Sequence, residues 1–217
     1  MEQELLILSL TALSLGFIHT LIGPDHYIPF IAMAKASRWR LSKTIIITSL
    51  CGIGHILSSV ILGLVGIALG IAVTRLTAIE SLRGELAAWF LVVFGLIYFL
   101  FGIYIALKNR HHEHFLINKK NKKVNLTPWI LFTIFVFGPC EPLIPLVMYP
   151  AAKGSILGLM MVTGIFGITT IATMLAIVII ASFGVNLMPM EKFERYMHAL
   201  AGLAILLCGV AIKFLGL

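Results

Sequence analysis

Six long apolar runs separated by short polar stretches organise this chain, at roughly 4–22, 44–73, 86–107, 127–150, 155–183 and 196–216. Each is close to or above the ~20 residues that a bilayer-crossing helix needs. The expected fold class is therefore all-α, a polytopic membrane protein of about six transmembrane helices. Gly23-Pro24 interrupts the first run and Gly138-Pro139 the fourth. Proline supplies no backbone N–H and clashes with the preceding turn, so these two helices are expected to be broken.

The polar stretches sort by charge. The first loop holds Lys35, Arg38, Arg40 and Lys43. The third holds Lys108, Arg110, Lys119, Lys120, Lys122 and Lys123, and the fifth holds Lys192 and Arg195. The even loops hold only Arg75, Arg83 and Lys153. The positive-inside rule places the odd loops in the cytoplasm and both termini outside, in a multi-pass protein of the cell (cytoplasmic) membrane. The first run is expected to be a retained helix rather than a cleaved leader. Its leading segment is acidic at Glu2 and Glu4, and no small-residue cleavage site follows.

The runs also repeat. Gly23-Pro24-Asp25-His26-Tyr27-Ile28-Pro29 matches Gly138-Pro139-Cys140-Glu141-Pro142-Leu143-Ile144-Pro145, and Lys35-Ala36-Ser37 matches Lys153-Gly154-Ser155. Gly54-His55 with Ser58-Ser59 then matches Gly167 with Thr169-Thr170 and Thr173. Finally Gly95 and Gly102 match Gly202 and Gly209 at equal spacing. Three helices per repeat is an odd number, so the repeats 1–107 and 127–217 should lie inverted about the basic, histidine-containing loop 108–126. That is the plan of many secondary transporters, whose broken helices meet near the midplane and expose backbone to a ligand.

Composition narrows the picture. Of 217 residues 60% are hydrophobic and 12% charged, with a mean hydropathy of +1.06. A soluble domain carries about 25% charged residues, so a soluble fold is excluded. The net charge of +7 comes from short loops and calls for no nucleic-acid partner. Three cysteines, an odd and sparse set, argue against a disulfide framework. No hydrolytic or transferase motif appears, so an enzyme is not expected.

Of the nine acidic residues, Asp25 and Glu141 fall inside apolar runs, both in the repeated Gly-Pro motif. An unpaired carboxylate at the bilayer centre costs roughly 2.5–3.5 kcal/mol on insertion scales, which marks the pair as functional candidates. With His19, His26, His55 and Cys140 they form a candidate metal site, flanked by the secondary polar residues Ser58, Ser59, Thr169, Thr170 and Thr173. Imidazole, carboxylate and thiolate suit Ni²⁺, Co²⁺ or Zn²⁺ better than the oxygen-seeking Mg²⁺ and Ca²⁺. The bland readings stand beside this. The prolines could be simple kinks, the hydroxyls could bond helix carbonyls, and Cys51 and Cys208 read as core fillers. His198 reads as an interhelical hydrogen bonder. His111-His112-Glu113-His114 is either a metal-loading tract or a solvated linker.

His19-Thr20-Leu21-Ile22-Gly23-Pro24-Asp25-His26 and Gly54-His55 resemble the histidine motifs of nickel/cobalt transporters and of the related urease-accessory transmembrane proteins. That resemblance implies a nickel or cobalt ion as substrate, bound by His19, Asp25, His26 and His55. Pro139-Cys140 resembles the helix breaks of cytochrome c biogenesis proteins that carry reducing equivalents across the membrane on a dithiol. Here Asp25 stands where that family has its other cysteine. The leading expectation is transport of a divalent transition metal, closed from the second repeat by Cys140 and Glu141. The alternatives are a thiol–disulfide reductant carrier using Cys140, with Cys51 or a partner's cysteine, and an anion (sulfite-type) exporter. The expected partners are the ion and the lipid bilayer. A second copy of the chain, or a metal- or thiol-bearing protein on either side, stays open.

Overall fold

The structure, a computed structural model, describes residues 2–108, 127–187 and 191–215. Helix follows helix in the order α1 (Glu2–Ile22), a 3₁₀ turn (Pro24–His26), α2 (Ile28–Ala36), α3 (Leu41–Ala68), α4 (Val73–Lys108), α5 (Thr127–Phe137), α6 (Leu143–Ala152), α7 (Ile156–Leu187), a second 3₁₀ segment (Glu191–Tyr196) and α8 (Met197–Leu215). Among the described residues there is no strand. The loop tract His111-His112-Glu113-His114 lies outside them.

Helices α1, α3, α4, α7 and α8 are long and apolar enough to cross a membrane. The fourth apolar run is not one continuous helix. It divides into α5 and α6, of 11 and 10 residues, because Pro139 and Pro142 cannot continue the backbone ladder. The first run also ends at Gly23, and α2 follows the break as a separate short helix that the hydrophobic pattern did not mark. The third run begins earlier than expected. Helix α4 has 36 residues and so reaches about 54 Å at 1.5 Å per residue, beyond a ~30 Å hydrocarbon core. Arg75, Glu80, Arg83 and Glu85, read from the sequence as loop or helix-end residues, therefore belong to its first turns.

Packing pairs α4 with α8, α1 with α7 and α3 with α5. The α4–α8 seam is made by glycines. A methyl group added at Gly95 would lie 2.4 Å from the Leu206 nitrogen, and one at Gly202 2.2 Å from that of Phe99. The same holds for Gly102 against Ala199, at 2.2 Å, and Gly209 against Val92, at 2.8 Å. Only residues without a side chain let two backbones approach so closely. Tyr98 on α4 and His198 on α8 add a hydrogen bond across this seam, 2.7 Å from hydroxyl to Nδ1. Faces turned away from these contacts are apolar, as at Leu6, Leu10, Ile46, Ile53, Phe101 and Ile180. Lipid can cover such faces, whereas every backbone polar group inside must find an internal partner.

Two clusters fill the interior. One gathers Phe30, Met33, Leu91, Phe135, Met174 and Ile205 with Cys51 and Cys208. The other gathers Ile56, Leu143, Val147, Val162 and Phe166 with Cys140. The three free cysteines are thus divided between clusters, with Cys140 apart from the other two.

Candidate functional site

The first helix break is built from its own residues. Gly23 N–H still bonds the His19 carbonyl at 3.0 Å, and Pro24 then ends α1 and opens the 3₁₀ turn. Gly23 has no substitute here, since an added Cβ would lie 2.6 Å from His26 Nδ1. His26 Nδ1 faces two acceptors, Asp25 Oδ1 at 3.0 Å and the Gly23 carbonyl at 3.1 Å. Facing two oxygens, Nδ1 carries the proton and donates it, so Nε2 of a neutral ring is a free acceptor. That nitrogen is buried and has no partner among the described residues. The hydroxyl of Tyr27 donates to the Leu21 carbonyl at 3.3 Å, capping the last turn of α1.

His55 on α3 repeats this arrangement across the interface with α5. Its Nδ1 donates to the Phe135 carbonyl at 3.3 Å, while its Nε2 is buried without a partner among the described residues. Gly54 permits the approach, because a Cβ there would meet Phe132 and Val136 at 3.0 Å. An imidazole held through one nitrogen with the other free is the orientation that metal-ligating histidines adopt. The three rings crowd together. His26 lies 4.7 Å from His19 and 5.1 Å from His55 between centroids, and His19 and His55 are stacked at 6.2 Å.

Cys140, fully buried at the second break, completes the group. Its Sγ is 4.0 Å from His19 Nε2. One ligand atom each from His19, His55 and Cys140 falls within 4.8 Å of the others, so these three residues could hold a metal. A cavity of about 640 Å³ adjoins them. His19, Asp25, His26 and His55 line it, with Glu141 and the ion-paired Glu85 and Lys213 also at its wall.

The remaining expected residues distribute unevenly. Glu141 reaches the cavity from an exposed position and is not among the three convergent ligands. Asp25 lines the cavity with its carboxylate bonded to His26. Gly138 packs against His55, where a Cβ would sit 3.1 Å from Nδ1, and Pro139 packs against Gly84. Ser58 donates to the His55 carbonyl at 2.8 Å, and Ser59 is buried. Thr169, Thr170 and Thr173 do not line the cavity. Thr170 instead packs on Gly16 of α1.

Sequence reasoning missed Glu80. It is fully buried rather than at a helix end, and Arg83 pairs with it at 2.8 Å. Arg83 also donates to Ser58 Oγ at 2.8 Å and to the Val136 carbonyl at 2.7 Å. The available signal was the three-residue spacing of opposite charges, which places them on one helix face.

A multi-pass helical membrane protein with an imidazole–thiol site beside an internal cavity is the class that this fold and geometry define. More particularly, the cytochrome c biogenesis protein transmembrane region matches residues 28–211, and the chain belongs to that family. The match includes His55, Glu80, Arg83 and Cys140 and begins after Asp25-His26. It agrees with the likeness seen at Pro139-Cys140; no comparison supports the likeness to nickel/cobalt transporters. No curated protein and no solved structure matches the chain.

Proposed function

We propose that the chain carries reducing equivalents through the membrane by thiol–disulfide exchange at Cys140, the reading the sequence ranked second. The observation that carries it is the pairing of Cys140 with His19 at 4.0 Å, in a chain whose family is that of cytochrome c biogenesis. The thiolate is the nucleophile in such exchange. His19 accepts the thiol proton. The Cys140 thiolate then attacks a partner's disulfide, forming a mixed disulfide and releasing one partner thiolate. The resolving thiol comes from a partner, because Cys51 and Cys208 sit in the other core cluster. Replacing the resolving thiol of a candidate partner should trap a disulfide-linked complex with the wild-type chain and none with Cys140→Ser. Equal trapping by Cys140→Ser would sink the idea.

A second reading, transport of a transition-metal ion, is favoured by the convergence of His19, His55 and Cys140. Three ligands with one thiolate suit a soft or borderline ion, copper(I) or zinc as well as nickel or cobalt. Titrating the purified protein with Co²⁺ should produce a thiolate-to-metal absorption band that Cys140→Ser and His55→Ala both abolish. A silent spectrum with the wild-type chain would count against this reading.

For either function we infer two inverted three-helix repeats, with α5 and α6 together forming the sixth crossing. The reciprocal packing supports this. Exchanging each residue for its repeat mate turns the Gly95–Leu206 contact into Gly202–Phe99, and Gly102–Ala199 into Gly209–Val92. Arg38 pairing with Glu194 supports the first loop and the segment before α8 lying on one side of the membrane, and the positive-inside rule makes that side the cytoplasm.

A further inference from the structure

We propose that the buried Glu80–Arg83 ion pair stands in for the backbone hydrogen bond that the second helix break removes, and thereby positions Cys140 against His19 and His55. In an unbroken helix the Val136 carbonyl would accept the N–H of Cys140, four residues on. The break at Gly138-Pro139 separates them and leaves one donor and one acceptor in an apolar interior. Leaving either unpaired costs about 1–3 kcal/mol.

Helix α4 supplies the replacement donor for that carbonyl. The Arg83 guanidinium donates to the Val136 carbonyl at 2.7 Å, and Glu80, fully buried on the same helix, holds that guanidinium. The two charges neutralise each other at 2.8 Å. A third donation, to Ser58 Oγ at 2.8 Å, ties the clamp to α3 one turn from His55, since Ser58 itself bonds the His55 carbonyl. One guanidinium therefore fixes the end of α5, four residues before Cys140, and the turn that carries His55. Gly84 completes the fit, because any Cβ there would lie 2.6 Å from Pro139. Lysine could not replace Arg83, being a point charge rather than a planar fork with several donors.

This role rests on Cys140 being the working thiol beside His19 and His55, which both functional readings require. It is tested on the full chain in detergent micelles, by the alkylation rate of each cysteine with N-ethylmaleimide, read by peptide mass. Cys208, buried in the other cluster, reports general loosening. Arg83→Gln should speed alkylation of Cys140 by about tenfold or more, the factor that corresponds to losing one hydrogen bond to a charged group, and leave Cys208 unchanged. Arg83→Lys should behave like Arg83→Gln. Glu80→Gln, which keeps an acceptor oxygen for Arg83, should have a smaller effect. Ser58→Ala, the mildest change and the fallback if the charge variants do not fold, should give about threefold. The proposal is overturned if Cys140 and Cys208 accelerate together, if neither changes, or if Arg83→Lys matches wild type. Failure of the functional readings is seen separately, as full activity in Cys140→Ser.

Discussion

The two helix breaks solve the same problem with different materials. At the first, the carbonyl of Leu21 is capped by Tyr27, and His26 is anchored by Asp25 and Gly23. All the groups come from one short segment. At the second, the equivalent carbonyl, Val136, is capped by Arg83, which Glu80 holds in turn. Those groups come from another helix. A break that satisfies itself can be read as a local motif. A break satisfied from outside is a tertiary structure, and its integrity depends on where α4 lies.

That difference predicts a graded set of effects on unfolding measured in mixed micelles. Arg83→Ala should be the most damaging, at about 3–5 kcal/mol, because it strands the buried carboxylate of Glu80. Asp25→Asn should cost about 1.5–3 kcal/mol by weakening the bond that orients His26. A loss equal to that of Arg83→Ala would show that the first break is no more self-contained than the second. Gly23→Ala should cost about 1–3 kcal/mol, from the clash of its methyl group with His26. Tyr27→Phe should cost only about 0.5–1.5 kcal/mol, since it removes one neutral cap. If Tyr27→Phe proved as severe as Arg83→Ala, the contrast would disappear.

The spans were legible because their apolar lengths exceed any other demand on the chain, and the breaks were legible because Gly-Pro has no place in a continuous helix. The start of α4 was not. Arg75, Glu80, Arg83 and Glu85 give 73–85 the charge density of a loop, and charge density cannot tell a solvated residue from a neutralised, buried pair. The candidate ligands were named individually, but His19, His55 and Cys140 lie on α1, α3 and the α5–α6 break, so their convergence is a product of packing. Thr169, Thr170 and Thr173 were chosen as repeat mates of Ser58-Ser59. The repeat equates positions along the chain and says nothing of which helix each face meets, so they were led away from the cavity.

The glycine seam between α4 and α8 sets a mechanical condition on the whole molecule. Where backbones touch at Gly95, Gly102, Gly202 and Gly209, no side chain is available to swing aside and take up slack, and packed interiors resist compression. The two most closely packed helices of the bundle therefore act as a spine that resists parting. Any change in which face of the bilayer reaches the cavity falls to the short pieces around it, α2, α5 and α6. They flank the breaks at Gly23-Pro24 and Gly138-Pro139, where His26 and Cys140 sit.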